Sequence, residues 1–241
     1  LVVEDRVRDG PRRIIRRVNR RALPKGFDVD RHFNPPYGPW DQRLCAVPDG
    51  DFYAAIREGR ASVVTGALER FTPTGLRMQD GTEIAADAVV TATGLKLQLF
   101  GGATLSVDGA EAVPSEKLVF KGMMLSGVPN FCFAIGYTNA SWTLKIGLLC
   151  EHFCRLLNHM AATGTEVCTP VRPSAGLAER PLMDFQAGYV LRSLAMLPRQ
   201  GDRDPWTMTF NYLADEKTLR HGPVDDPALR FSPAPAREAA A

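Results

Sequence analysis

Two short runs constrain this chain more than any other part of it. D-A-V-V-T-A-T-G at 87–94 and F-C-F-A-I-G at 131–136 are apolar, small or β-branched almost throughout, and each stops at a glycine. Runs of that length and content read as strands buried on both faces, the condition of a parallel sheet covered by helices. Gly94 and Gly136 then stand where such strands emerge at their carboxyl ends, the edge at which open α/β sheets bind ligands. A glycine there lets the backbone turn sharply or approach a ligand closely.

The neighbouring segments extend this pattern. F-T-P-T-G-L-R-M-Q-D-G-T-E-I-A-A at 71–86 alternates, with Asp80-Gly81 as a hairpin turn. A-S-V-V-T at 61–65 reads as a strand. P-D-G-D-F-Y-A-A-I-R-E-G at 48–59 reads as a short helix carrying Phe52, Tyr53 and Ile56, capped by Asp49 or Asp51 and ended by Gly59. After the second run, Thr138, Asn139 and Ser141 lead into a long helical pattern. Leu149, Phe153, Leu156 and Met160 make an apolar stripe on it, His152 shares that face, and Lys145 interrupts the stripe at its amino end. Glu151 and Arg155 have the spacing of a helical ion pair. With Asn139 or Ser141 as cap, the first N–H groups and the helix dipole would face the sheet edge, where they favour negative charge. The plainer reading of the same residues is a capped core helix.

Composition narrows the classes. With 241 residues, 45% hydrophobic and 23% charged, the chain has material for one large domain or two smaller ones. A net charge of +2 gives no support to nucleic-acid binding. The basic residues cluster in R-R-I-I-R-R-V-N-R-R at 12–21, which reads as a solvated helix with a narrow stripe of Ile14, Ile15 and Val18, or else as a docking site for an anion or partner. Cys45, Cys132, Cys150, Cys154 and Cys168 read as reduced, packed core thiols in a cytoplasmic protein, and their spacing suggests no metal site. No apolar run is long enough to span a bilayer. Residues 23–40 form a Pro- and Gly-rich connector, and the end, S-P-A-P-A-R-E-A-A-A, reads as disordered.

Taken together, these segments resemble a known family. D-A-V-V-T-A-T-G resembles the Asp-hydrophobic-Ala-Thr-Gly segment of flavoproteins with two dinucleotide-binding domains, and F-A-I-G-Y-T-N-A-S-W-T resembles their closing flavin-contacting segment. With D-Q-R-L-C at 41–45 and P-D-G-D-F-Y behind it, the order is similar to that of flavin-dependent monooxygenases of the Baeyer–Villiger type. The likeness runs from H-F-N-P-P-Y-G-P-W to L-R-F-S.

The resemblance implies an α/β, Rossmann-like FAD/NADP flavoprotein fold, but an incomplete one. No G-x-G occurs, so neither phosphate-binding fingerprint is present, and the family's Phe-x-Gly-x-x-x-His signature is absent too. The expected division is a remnant of the NADP domain and linker at 1–45, the C-terminal half of the FAD domain at 46–165, and a C-terminal extension at 166–241. The chain begins with Leu1 and reads as a C-terminal fragment, inactive and prone to aggregation alone.

In the parent reaction NADPH reduces FAD, the flavin captures O2, and a flavin peroxide attacks a ketone, thiocarbonyl or sulfide. The resemblance makes Arg43 the permanent cation for that charge, although Gln42 replaces the usual Lys before it. It makes Thr93, Gly94, Asn139, Ala140 and Ser141 the flavin contacts, and Trp142 and Thr143 walls of the substrate pocket. Alternatives are an N- or S-oxygenating flavin monooxygenase, and a non-catalytic adaptor built on the half-fold. A cytoplasmic location is expected, with peripheral membrane association and oligomeric state left open.

Overall fold

A computed structural model of the chain describes residues 2–39, 41–42, 47–138, 140–183, 185 and 187–234, with the backbone alone for 2–9. It divides into two compact units, Leu1–Gly94 and Leu95–Ala241.

The first unit opens with helix α1 (Val2–Ala22), followed by one-turn α2 (Val29–His32) and α3 (Asp51–Arg57). Asp28 starts α2 by accepting the Arg31 N–H at 3.0 Å. The core here is small: Leu23, Val29 and Ile56, with Phe27, Phe33, Tyr53, Ala61 and Val63 packed against it. On α1 the packed face is not the stripe expected from its isoleucines. Ile14 and Val18 are exposed, whereas Asn19 is buried and accepts a 2.8 Å hydrogen bond from the Tyr53 hydroxyl. That polar contact sets which way the helix turns, a factor that hydrophobic spacing does not contain. α3 begins as expected in place but not in chemistry. Its cap is Gly50 in a left-handed conformation, without a side-chain cap bond, and Gly59 follows its end at φ +70°.

Strands β1 (Leu68–Thr72), β2 (Gly75–Met78) and β3 (Glu83–Ala85) form an antiparallel meander. The Asp80-Gly81 turn joins β2 to β3 as read from sequence; Gly81 sits at φ +85° and Asp80 accepts the Thr82 N–H at 3.0 Å. The expected strand at 61–65 is not formed. Neither is the buried strand at 87–94. That segment is extended, unpaired and exposed, with Val90 at 92%. The physical reason is the lack of neighbours: no described segment pairs with it, and β-branched side chains bury only against adjoining strands or covering helices.

The second unit is built around helix α4 (Trp142–Thr163). The chain reaches it through β4 (Ser106–Val107), β5 (Ala110–Glu111) and the tight hairpin of β6 (Val119–Phe120) and β7 (Met124–Leu125). This hairpin separates two cores, because successive residues point to opposite sides. Leu118, Phe120 and Met124 face α4, together with Leu148, Leu149, Leu156, Met160, Trp206 and Leu219. Val119 and Leu125 face a second cluster with Val128, Leu182, Met183, Phe185, Val190 and Met208.

The run 131–136 shares this divided environment. Phe131, Phe133 and Ile135 pack on the second core and Cys132 on the first. It lies beside β7, through an antiparallel bridge from Met124 to Cys132, not within a parallel sheet.

α4 buries Leu149, His152, Leu156 and Met160, as its periodicity predicted, and also Lys145 and Leu148, while Phe153 is only half-buried; it stops at Gly164 with φ +66°. Glu151 and Arg155 do not pair with each other. Glu151 binds Arg220 through two bonds of 2.7 and 2.9 Å, and Arg155 donates to the carbonyls of Leu219, Arg220 and Gly222. A tertiary partner with free carbonyls outcompetes a one-turn surface pair of only ~0.3–0.5 kcal/mol. Cys150 and Cys154 are exposed on α4, against the expectation of core thiols. Cys168 is buried and Cys132 partly so, and burial pushes both thiols up to about 11.

The remaining elements wrap the same cores: β8 (Val167–Pro170), β9 (Arg180–Pro181), α5 (Gly188–Leu191), β10 (Arg199–Gln200), α6 (Tyr212–Asp215), a π-turn at Glu216–Arg220, and β11 (Leu229–Ser232). β11 pairs antiparallel with β8, placing Phe231 opposite Cys168. The region after 166 is therefore packed into the unit around α4.

Two glycines test this packing. Gly136 is buried, and a Cβ there would overlap the Trp142 backbone and ring; Gly147 lies inside α4 with open space beside it. Gly136→Ala should destabilise by about 1–3 kcal/mol through overpacking. Gly147→Ala should stabilise by up to about 1 kcal/mol through helix propensity. Urea unfolding of the two variants checks both signs.

Candidate functional site

The residues singled out around α4 meet at one place. Ser141 is the N-cap of the helix, with no side-chain cap bond; its hydroxyl lies 3.1 Å from that of Thr143. The Leu144 N–H donates to the Ser141 carbonyl at 3.2 Å, which leaves the N–H groups of Trp142 and Thr143 without a bond among the described residues. Ala140, Ser141 and Thr143 are exposed, and Trp142 is 43% exposed. A helix of this length presents a concentrated positive end there.

Directly beside it is an apolar cavity of about 310 Å³. Trp142, Phe100, Phe133, Tyr189 and Met183 wall it, and Gln98 and Thr138 are its polar side chains. Phe100 meets Phe131 and Phe133 edge-on, with centroids 5.0 and 5.4 Å apart, which fixes that wall. Trp142 lines the cavity as expected, whereas Thr143 is not among its walls. Sequence reasoning missed Phe100, Phe133, Met183 and Tyr189, which come from distant segments.

Of the other expected residues, Thr93 and Gly94 end the first unit on its exposed segment, with Gly94 at φ +103°. Arg43 and Asn139 lie outside the described residues, as does Cys45. The basic helix is partly spent on its own unit. Arg16 and Arg20 pair with Asp30, and Arg12 donates to Asn34 and to the Pro35 carbonyl at 3.0 and 2.7 Å.

Under the site lies a charged cluster that no motif announced. Lys145, one turn into α4, is buried to 1% and pairs with Asp215 at 3.1 Å. It also donates to the Thr209 carbonyl and lies over the rings of Tyr137 and Phe210 at 5.3 and 5.4 Å. Asp215 accepts from the Tyr137 hydroxyl at 2.6 Å and from the Thr209 hydroxyl. Burial pulls the Lys145 ammonium below the ordinary lysine range, with Asp215 opposing. Burial, then the hydrogen bond to Asp215, pushes the Tyr137 phenol well up. The available signal was Lys145 itself, a cation on an otherwise apolar face, which requires a buried partner.

FAD fits this site in part. The open N–H groups of α4 suit the electron-rich edge of a flavin ring, and the adjoining cavity suits an apolar molecule beside it. Its pyrophosphate needs a glycine-rich loop, and the chain contains no G-x-G. Among the described residues, no group of three or more His, Cys, Asp or Glu side chains could hold a metal ion, and no helix is long and apolar enough to cross a membrane.

Comparison with known proteins gives the chain its class. The chain is 54% identical, over 90% of its length, to the FAD-containing monooxygenase EthA of Mycobacterium tuberculosis, and 46% identical over 92% to EthA of Mycolicibacterium smegmatis. It is 44% identical over 86% to a protein of Acinetobacter baylyi named "Probable FAD-binding monooxygenase AlmA". Identity at this level makes the chain a homologue of the FAD-containing monooxygenases. It spans less than half of these relatives, covering 44%, 45% and 42% of them respectively. No family model matches the chain, and no solved structure matches it.

His152 gives a pH test of the packing beneath the site. It is fully buried, its Nδ1–H donates to the Leu219 carbonyl at 2.8 Å, and its Nε2 is buried without a partner. Burial lowers its pKa from 6.5 to about 4. The unfolded chain therefore binds a proton between those values that the folded chain does not. Stability should be full above pH 6.5 and fall as pH drops toward 4, by about 3 kcal/mol at most. In His152→Gln this slope should flatten, as read by urea midpoints across that range.

Proposed function

We propose that the chain is the C-terminal part of an FAD- and NADPH-dependent monooxygenase of the Baeyer–Villiger type, with an incomplete Rossmann-like flavoprotein fold. On this reading 1–45 derives from the NADP domain and linker, 46–165 from the FAD domain, and 166–241 is the C-terminal extension. The observation that carries it is the open amino end of α4 beside an aromatic cavity, in a chain 54% identical to an FAD-containing monooxygenase over 90% of its length.

When bound, FAD reduced by NADPH supplies the activation of O2. The chain's own residues then do the following. The N–H groups of Trp142 and Thr143 hold negative charge at the ring edge, favoured by the helix dipole. Ala140 and Ser141 leave that end unobstructed, and Thr93, Gly94 and Asn139 are the further flavin contacts that the family resemblance implies. Trp142 excludes water and walls the apolar cavity that receives a ketone, thiocarbonyl or sulfide. Arg43 supplies a permanent positive charge, since guanidinium stays protonated at any working pH. By itself the chain is inactive, because the loops for both pyrophosphates must come from other residues.

The test is flavin retention. The purified chain is desalted after incubation with FAD, alone and with the N-terminal half of an EthA relative, and visible absorbance is recorded. No flavin on the chain alone and a retained band in the mixture are expected; a band on the chain alone overturns the incomplete-site reading. In the reconstituted mixture, Arg43→Ala should abolish ketone oxygenation and spare sulfide oxygenation in part. Sulfide oxygenation without any ketone oxygenation in the parent mixture, left unchanged by Arg43→Ala, favours an N- or S-oxygenating enzyme.

A further inference from the structure

The buried cluster beneath the site does not serve helix stability. A cation in the first turn opposes the helix dipole, and an apolar side chain would fill the same space without a desolvation cost. What the cluster does is geometric. Tyr137 stands just before the turn that leads into α4, and Lys145 stands just after it. Both contact the same atom, Asp215 Oδ2, at 2.6 and 3.1 Å. Asp215 is itself held by the Thr209 hydroxyl, and Lys145 by the Thr209 carbonyl, so a third segment locks the arrangement. All three residues are at most 4% exposed, so little water competes for these bonds. Between the two anchors lie the open N–H groups and Trp142, whose ring and backbone pack directly on Gly136.

We propose that Asp215, acting through Tyr137 and Lys145, is the positioning residue for the turn at 138–144. One carboxylate grips both ends of that turn, fixing where the helix N–H groups and the Trp142 ring point. What is positioned rests on the monooxygenase reading above; that the turn is held by Asp215 does not.

The test uses the full chain labelled with 5-fluorotryptophan, giving fluorine resonances for Trp40, Trp142 and Trp206, with Trp142 assigned from Trp142→Phe. Two variants are compared with the parent: Tyr137→Phe, and the double replacement Lys145→Met with Asp215→Leu. The double variant exchanges the ion pair for an apolar one and leaves the Tyr137 and Thr209 hydroxyls without their acceptor. The expected result is a folded protein of lower melting temperature, with the Trp142 line shifted and broadened, its solvent quenching increased, and the Trp206 line unmoved. An unmoved Trp142 line in the folded double variant overturns the proposal. Should the double variant fail to fold, Tyr137→Phe decides on the same line by the same criterion. No flavin enters this experiment, so the flavin-retention result can fail independently of it.

Discussion

An ammonium and a carboxylate withdrawn from water cost several kcal/mol each unless both are fully paired, and the second unit is arranged to pair them. Lys145 comes from α4, Asp215 from the end of α6, Tyr137 from the approach to α4, and Thr209 from the strand-like segment before α6. Because these groups must converge, the chain after 166 cannot sit loosely against α4. The consequence appears in the packing. Leu219, four residues beyond Asp215, joins the same core as Leu148 and Leu149, and β11 returns to pair with β8 at the far end of the helix. Arg155 and Glu151 continue the same logic on the next turns, both reaching to the π-turn.

The apolar runs show the opposite case, in which the partners are not supplied. Residues 131–136 find cores on two sides and stay partly buried. Residues 87–94 have similar composition and find nothing among the described residues, so Val89 and Val90 remain exposed. A β-branched run states a capacity for burial; a neighbouring strand or helix realises it. The relatives are more than twice as long as the stretch they share with this chain.

The site sets two environments side by side. The end of α4 offers oriented donors that favour negative charge, and the adjoining cavity is walled by apolar and aromatic side chains, Trp142 and Phe133 among them. Their adjacency follows from Gly136, whose lack of a side chain lets the Trp142 ring lie against the backbone.

Much of this was written in local sequence. The Asp80-Gly81 turn, the apolar face of α4 and the end of α3 at Gly59 depend on nearest neighbours and helical period, so they could be read directly. The flavin resemblance, too, rests on contiguous segments, and the relatives agree with it. What sequence could not decide was every matter of partnership. Asn19 rather than Ile14 faces inward because Tyr53 is there to bond it. Glu151 chose Arg220, the cavity drew its walls from residues 97 to 197, and Asp215 met Lys145 across a long stretch of chain. The sequence by itself determined which segments could be helix, turn or buried strand, since those are properties of a few adjacent residues. Only the tertiary structure decided which of them were buried and which charges met, because desolvation and pairing depend on what the rest of the chain brings within a few ångströms.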